Sequence, residues 1–205
     1  GGGGPGARPV WVGSRLAEFL PVPVVKVDGK KYYRDYDLKN SIGKVKAFFG
    51  NFGVLVRAYT YIAMMGRTGL KRVSEDAVLN TNYLKEKLKD TFELPYDITC
   101  MHEFVLSADK QKEFGVNAMA IAKRLIDYGI HPPTVYFPLI VHEAMMIEPT
   151  ETESLETLDK FVEIMKTIAK EAEESKELLL EAPHNTPVLK VDEVLAARQP
   201  NLKWN

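Results

Sequence analysis

Between Met101 and Ala169 the spacing of apolar residues switches back and forth between two periods, which rules out a helical bundle and an all-β sandwich alike. Met101 to Ser107 (MHEFVLS) is short and strand-like. Asn117 stands where an N-cap belongs, ahead of Ala118, Ile121, Ala122, Leu125 and Ile126 at helical spacing, and Gly129 closes that run. Pro132 and Pro133 force an extended segment, and Ala144 to Ile147 reads as a second strand. Thr150 and Glu153 then fit a capping box. The helix behind them carries the stripe Leu155, Leu158, Phe161, Val162, Met165, Ile168 and Ala169. Single strands separated by helices predict an α+β fold, an antiparallel sheet with helices packed on it.

The first half is punctuated differently. Asp28–Gly29 lies between VPVVKV and KKYYRDY and predicts a β-hairpin over residues 22–36. Val54 to Met65 is apolar apart from Arg57 and reads as a buried helix ending at Gly66. Leu70 to Leu88 follows as a second helix, with Leu70, Val73, Ala77, Leu84 and Leu88 on one side. A short helix around Val191 to Ala197 is expected near the end, beyond the breaks at Pro183 and Pro187.

Charge and cysteine content narrow the classes of function. Lys plus Arg is 27 against 28 for Asp plus Glu, so no global field invites nucleic acid. Residues 1–50 are locally basic and residues 151–177 locally acidic, which reads as solvated faces or a docking pair. Cys100 is the one cysteine, so no intrachain disulfide forms, and a reducing, cytoplasmic setting is expected. No apolar run approaches the roughly 20 residues that cross a bilayer. The start GGGGPGARPVWV lacks a signal-peptide pattern and an initiator Met, which suggests a piece of a longer chain.

Few residues declare chemistry by spacing alone. His102–Glu103 and His142–Glu143 both lack the H-E-x-x-H spacing of a zinc helix, and no metal site is expected. Cys100 and His102 could face one way on a strand, but no third group orients them as a hydrolase would need. The Gly1–Gly4 run leaves backbone amides uncovered and permits close approach of a phosphate or a ring, although it matches no phosphate-loop pattern.

Longer words along the chain say more. GGGGPG at 1–6, SIGKVKAFFGNFGVLVRAYTYI at 41–62, MHEFVLS at 101–107, DYGIHPPTVYFPLIVHEAMMIEPTETES at 127–154 and APHNTPV at 182–188 occur in one order. Together they resemble the C-terminal part of the glycine dehydrogenase (decarboxylating) family, the P-protein of the glycine cleavage system, in the two-subunit bacterial form its subunit 2. The resemblance implies the small C-terminal domain of a fold-type-I pyridoxal-phosphate enzyme, with helices on one face of its sheet. It implies residues 1–50 as a glycine-rich loop and hairpin remnant of the large domain, 51–90 as connecting helices and 91–205 as the small α+β domain.

By the same resemblance, the full-length protein uses pyridoxal 5'-phosphate to release CO2 from glycine, and passes the aminomethyl group to the lipoyl arm of H-protein. The cofactor would carry the hard chemistry. The Schiff-base lysine is expected upstream of Gly1, so this chain by itself is expected to be inactive. Gly1, Gly2, Gly3 and Gly4 would line the cofactor cleft, and Asn51, His102, His131 and Thr134 would face the substrate. Arg8 and Trp11 depart from the small residues of the family pattern. Expected partners are glycine, lipoylated H-protein and subunit 1 in a hetero-oligomer, with neither nucleic acid nor membrane. The alternative is a non-catalytic α+β interaction or regulatory module. Without its large domain, the 54–65 helix would expose apolar surface.

Overall fold

Gly29 takes φ 58°, the positive φ that a two-residue hairpin loop needs at its first position. It joins β1 (Val24–Asp28) to β2 (Lys31–Asp35) in an antiparallel pair that closes on Asp28 opposite Lys31. The turn is therefore Gly29–Lys30, one residue later than the sequence signal places it. The computed structural model describes residues 6, 10–45 and 49–203. The chain divides into two units, Gly1–Arg67 and Thr68–Asn205.

In the first unit, Ser14–Phe19 forms a 3-10 turn. The Ser41 hydroxyl donates to the Leu20 carbonyl at 2.6 Å, tying residues 19–22 to 41–43. Arg34 stacks its guanidinium 4.5 Å from the centre of the Phe49 ring. Helix α1 (Phe52–Leu88) begins here and is broken at Gly66, where φ 60° and ψ −172° describe a conformation that only glycine adopts easily. The expected helix end at Gly66 is thus real. The expected burial is not: Leu55, Tyr59, Ile62 and Met64 are all exposed, because nothing in the described part of this unit packs over them.

The second unit has a core of its own. Strands β3 (Phe104–Ser107), β4 (Thr134–Val135) and β5 (Ala144–Ile147) form an antiparallel sheet in the order β3-β5-β4. Phe104 lies opposite Ile147, and Leu106 and Val135 both lie opposite Met145, so these five side chains share one face. That face joins the core built from α3 (Ala118–Asp127) and α4 (Leu155–Glu174), with Leu84 and Leu88 of α1 and the fully buried Phe92. Val105, Met146 and Thr134 lie on the other, half-open face. Helices on one face of an antiparallel sheet is the α+β arrangement expected.

Two short helices, α2 (Asp109–Lys112) and α5 (Glu177–Leu180), escaped the periodicity because four residues show no repeat. Helix α6 (Glu193–Arg198) is capped by Asp192, close to its expected place.

Helix α3 starts as its sequence demands, with Asn117 Oδ1 accepting the Ala120 N–H at 2.9 Å and Gly129 ending it at φ 73°. Helix α4 corrects the expected capping box. Its cap is Ser154, whose Oγ accepts the Thr157 N–H at 3.2 Å, while the Thr150 carbonyl accepts the Glu153 N–H and its hydroxyl pairs with that of Thr152 at 2.7 Å. With the start shifted to Leu155, that residue rides at the solvent edge, 62% exposed, and leaves the predicted stripe. Ser154→Ala is expected to cost about 1 kcal/mol of stability by urea unfolding, whereas Thr150→Ala, which keeps the carbonyl, should cost clearly less.

Candidate functional site

One densely bonded polar cluster in the sheet unit grows from one end of the sheet. Ser107 at the end of β3 is buried, and its hydroxyl donates to the His142 carbonyl at 2.8 Å. The Ala108 N–H donates to the Glu143 carbonyl at 3.0 Å, and the Tyr136 N–H to that of Ala144 at 2.8 Å. These three bonds fix the backbone of residues 136–144 against the β3–α2 corner. On that frame the side chains run in a chain. Asp109 holds His142 Nδ1, and His142 Nε2 lies 3.0 Å from the Lys112 ammonium. Lys112 donates to Glu143 Oε1 at 2.7 Å, and Glu143 Oε2 accepts the Ala118 N–H at 2.8 Å.

The partners decide protonation. An ammonium only donates, so in the Lys112 contact His142 Nε2 takes the acceptor role. Glu143 is 7% exposed, and burial pushes its carboxyl up. The Ala118 N–H, at the positive end of α3, and Lys112 outweigh that and hold it below the usual glutamate range. The bond to Glu143 pushes Lys112 up. A carboxylate and an ammonium fixed in this way serve as an anchor; neither is poised to exchange a proton near neutrality.

The anchor holds an unusual loop. Tyr136 and Glu143 both have positive φ, 58° and 46°, which side-chain-bearing residues rarely adopt. Between them the Val141 N–H donates to the Pro138 carbonyl at 3.0 Å, and Phe137, Leu139 and Ile140 point into solvent.

A second network ties the chain's later part to α3. Arg124 forks onto Glu171 through Nε at 2.9 Å and Nη2 at 2.8 Å, and reaches Asp127 through Nη1 at 3.1 Å. Asp127 Oδ1 accepts the backbone N–H groups of His184 and Asn185 at 2.6 and 2.9 Å. Arg124 and the Tyr128 hydroxyl hold Glu171 below its usual range. The APHNTPV segment is thus held by its backbone at Asp127 and by the His184 ring, which lies 2.8 Å from the Leu178 carbonyl.

The residues singled out from sequence do not converge on one point. Gly1, Gly2, Gly3 and Gly4 lie outside the described residues. Asn51 caps α1: its Oδ1 accepts the Val54 N–H at 3.3 Å and its carbonyl the Leu55 N–H at 3.0 Å. His102 sits in a bend ahead of β3, not in the expected strand, because pairing with β5 starts only at Phe104. It is exposed, 3.8 Å from Glu103. His131 is exposed, and Thr134 is the exposed first residue of β4. Strands β3 and β4 flank β5 and run parallel to each other, so His102 and His131 leave the sheet at the same end, the one where β5 continues into Glu148. The Asp109–Lys112–His142–Glu143 cluster stands at the opposite end. Among the described residues no group of three or more His, Cys, Asp or Glu side chains could hold a metal ion.

The second unit is thus an α+β unit with its own core, two polar networks and an exposed apolar loop. Residues 73–191 match the family described as glycine dehydrogenase, C-terminal domain, and the chain belongs to that family. It is 62% identical over 204 residues to the probable glycine dehydrogenase (decarboxylating) subunit 2 of Caldanaerobacter subterraneus subsp. tengcongensis. It is 59% identical over the same length to the protein of that name from Staphylococcus aureus. Each match takes in 100% of this chain and 42% of the relative, so the chain spans less than half the length of these curated relatives. The fold is also that of a solved structure, the crystal structure of glycine decarboxylase (P-protein) of the glycine cleavage system in inhibitor-bound form. The TM-score is 0.60 at 18% identity, over 76% of this chain and 37% of that one.

Proposed function

We propose that this chain works as the C-terminal part of a glycine-decarboxylating enzyme. The whole polypeptide, with its partner subunit, would release CO2 from glycine and hand the remaining aminomethyl group to a lipoylated carrier, H-protein. The observation that carries this reading is the 62% identity across the entire chain to a protein named for that activity. The family match over the sheet unit supports it further. Residues 1–50 would belong to the large domain, 51–90 would connect, and 91–205 would form the small domain. Gly1–Gly4 would then line the cofactor cleft, as the backbone freedom of glycine suits. The substrate would be faced by the sheet end that carries His102, His131 and Thr134. Asn51 has a simpler use as a helix cap.

Pyridoxal phosphate, which this reading requires, is not held by the described residues on their own. A Schiff-base lysine needs a lowered ammonium pKa. Burial pulls Lys85 down, but Asp97 and Glu86 outweigh it and push it up, and Glu143 pushes Lys112 up. On this reading the Schiff-base lysine lies elsewhere in the longer polypeptide. The cytoplasm is the compartment that suits a chain with one cysteine. Among the described residues no helix is long and apolar enough to cross a membrane.

The test uses the polypeptide at the length of its relatives, combined with the partner subunit, pyridoxal phosphate and lipoylated carrier protein. Glycine-dependent exchange of labelled CO2 is expected, and it should fall at least tenfold in His131→Ala with Thr134→Ala. A complete mixture that exchanges no CO2 would sink the assignment.

A further inference from the structure

We propose that the 136–144 loop is a preformed apolar knob that seats in the portion of the longer polypeptide lying outside this chain. This rests on the reading that the chain acts within a protein of its relatives' length. Three observations carry it.

The first is chemical. Residues 132–141 (PPTVYFPLIV) contain no charged side chain, and at the tip Phe137, Leu139 and Ile140 are 53%, 88% and 80% exposed. Loops that end in water are built from polar and turn residues. Exposed apolar clusters mark contact surfaces.

The second is mechanical. Two positive-φ residues bracket the tip, and the loop ends are joined by the Tyr136–Ala144 hydrogen bond. The base is fastened by Ser107 to the His142 carbonyl and by Glu143 to Lys112 and the Ala118 N–H. Strained backbone persists only where its surroundings over-determine it. A tip held this firmly presents its side chains at little ordering cost.

The third is the occupant. Transient partners meet surfaces about as polar as the rest of a protein, whereas permanent contacts resemble a core cut in half. This tip is of the second kind. The relatives carry more than half of their length outside the matched span, which supplies a permanent, covalently linked cover.

The experiment uses the full polypeptide with cysteine placed at the tip, Leu139→Cys, and at an exposed position on α4, Lys166→Cys, each with Cys100→Ser. Maleimide labelling at each site is followed by peptide mass spectrometry and normalised to the rate in denaturant. Leu139→Cys should label at least tenfold more slowly than Lys166→Cys, and Ile140→Cys serves in its place if the first variant does not fold. Equal rates at 139 and 166 would overturn the proposal. So would protection that fades on dilution, which indicates a second copy, or protection that appears only after another protein is added. The enzyme assignment is judged separately, by CO2 exchange in the unsubstituted protein.

Discussion

Trimming residues 1–67 is expected to weaken the self-association of the polypeptide sharply and to leave a unit that still unfolds cooperatively. No described residue ahead of Thr81 is buried. Trp11, Tyr32, Phe52, Tyr59 and Met64 are each more than three-quarters exposed. A two-stranded hairpin is marginal on its own, and apolar patches beyond several hundred Å² are uncommon on monomers. In the longer polypeptide such side chains have a place to go; alone, they meet each other. Thr68–Asn205 differs, because Phe92, Ile121, Leu125, Met145, Met165 and Ile168 are all fully buried in one cluster. Light scattering across a concentration series should show the mass of the 205-residue chain rising far more steeply than that of the shortened chain, which keeps only the 137–140 tip exposed. A strictly monomeric 205-residue chain at every concentration would refute this, as would a shortened chain without a sharp unfolding transition.

The same contrast explains what could be read in advance. Elements set by local chemistry stood out in the sequence: Asn117 and Gly129 delimit α3, Gly66 breaks α1, and the glycine after Asp28 makes the hairpin. Burial was legible where the partner surface belongs to the described chain, as along Leu158, Val162, Met165 and Ile168. It failed for residues 54–65, because periodicity shows that a face is apolar and not what covers it. The cap of α4 went to Ser154 rather than Thr150 because two hydroxyls four residues apart satisfy almost the same pattern, and only backbone geometry separates them.

The polar anchor was less legible still. His142–Glu143 drew notice only as a failed zinc pattern, and Lys112, some thirty residues away, has no spacing signal that links it to them. Sheet pairing alone brings β3 and β5 together and so places α2 beside residue 143. Of the residues proposed to face substrate, His102 and His131 share a sheet end for the same reason, namely the β3-β5-β4 order, which no local feature encodes.

Lys112→Met is expected to lower the melting temperature at pH 7, since the half-exposed ammonium is the charged partner of a buried carboxylate and its removal leaves Glu143 without one. In the unaltered protein Glu143 is held below its usual range, so its contribution to stability is present above the ordinary glutamate pKa and is lost as pH falls through the lower folded value. The substitution moves that folded value up, because burial is then opposed mainly by the Ala118 N–H. The penalty is then present at neutral pH and shrinks as pH falls through that raised value, where the carboxyl takes up a proton. Adding Glu143→Gln to Lys112→Met should restore most of the loss, because a neutral amide oxygen can still accept the Ala118 N–H. Thermal unfolding of the three proteins from pH 8 down to below the ordinary glutamate pKa decides the matter. A Lys112→Met penalty that grows towards acid, or one that Glu143→Gln does not relieve, would show that the pair does not anchor the loop in this way.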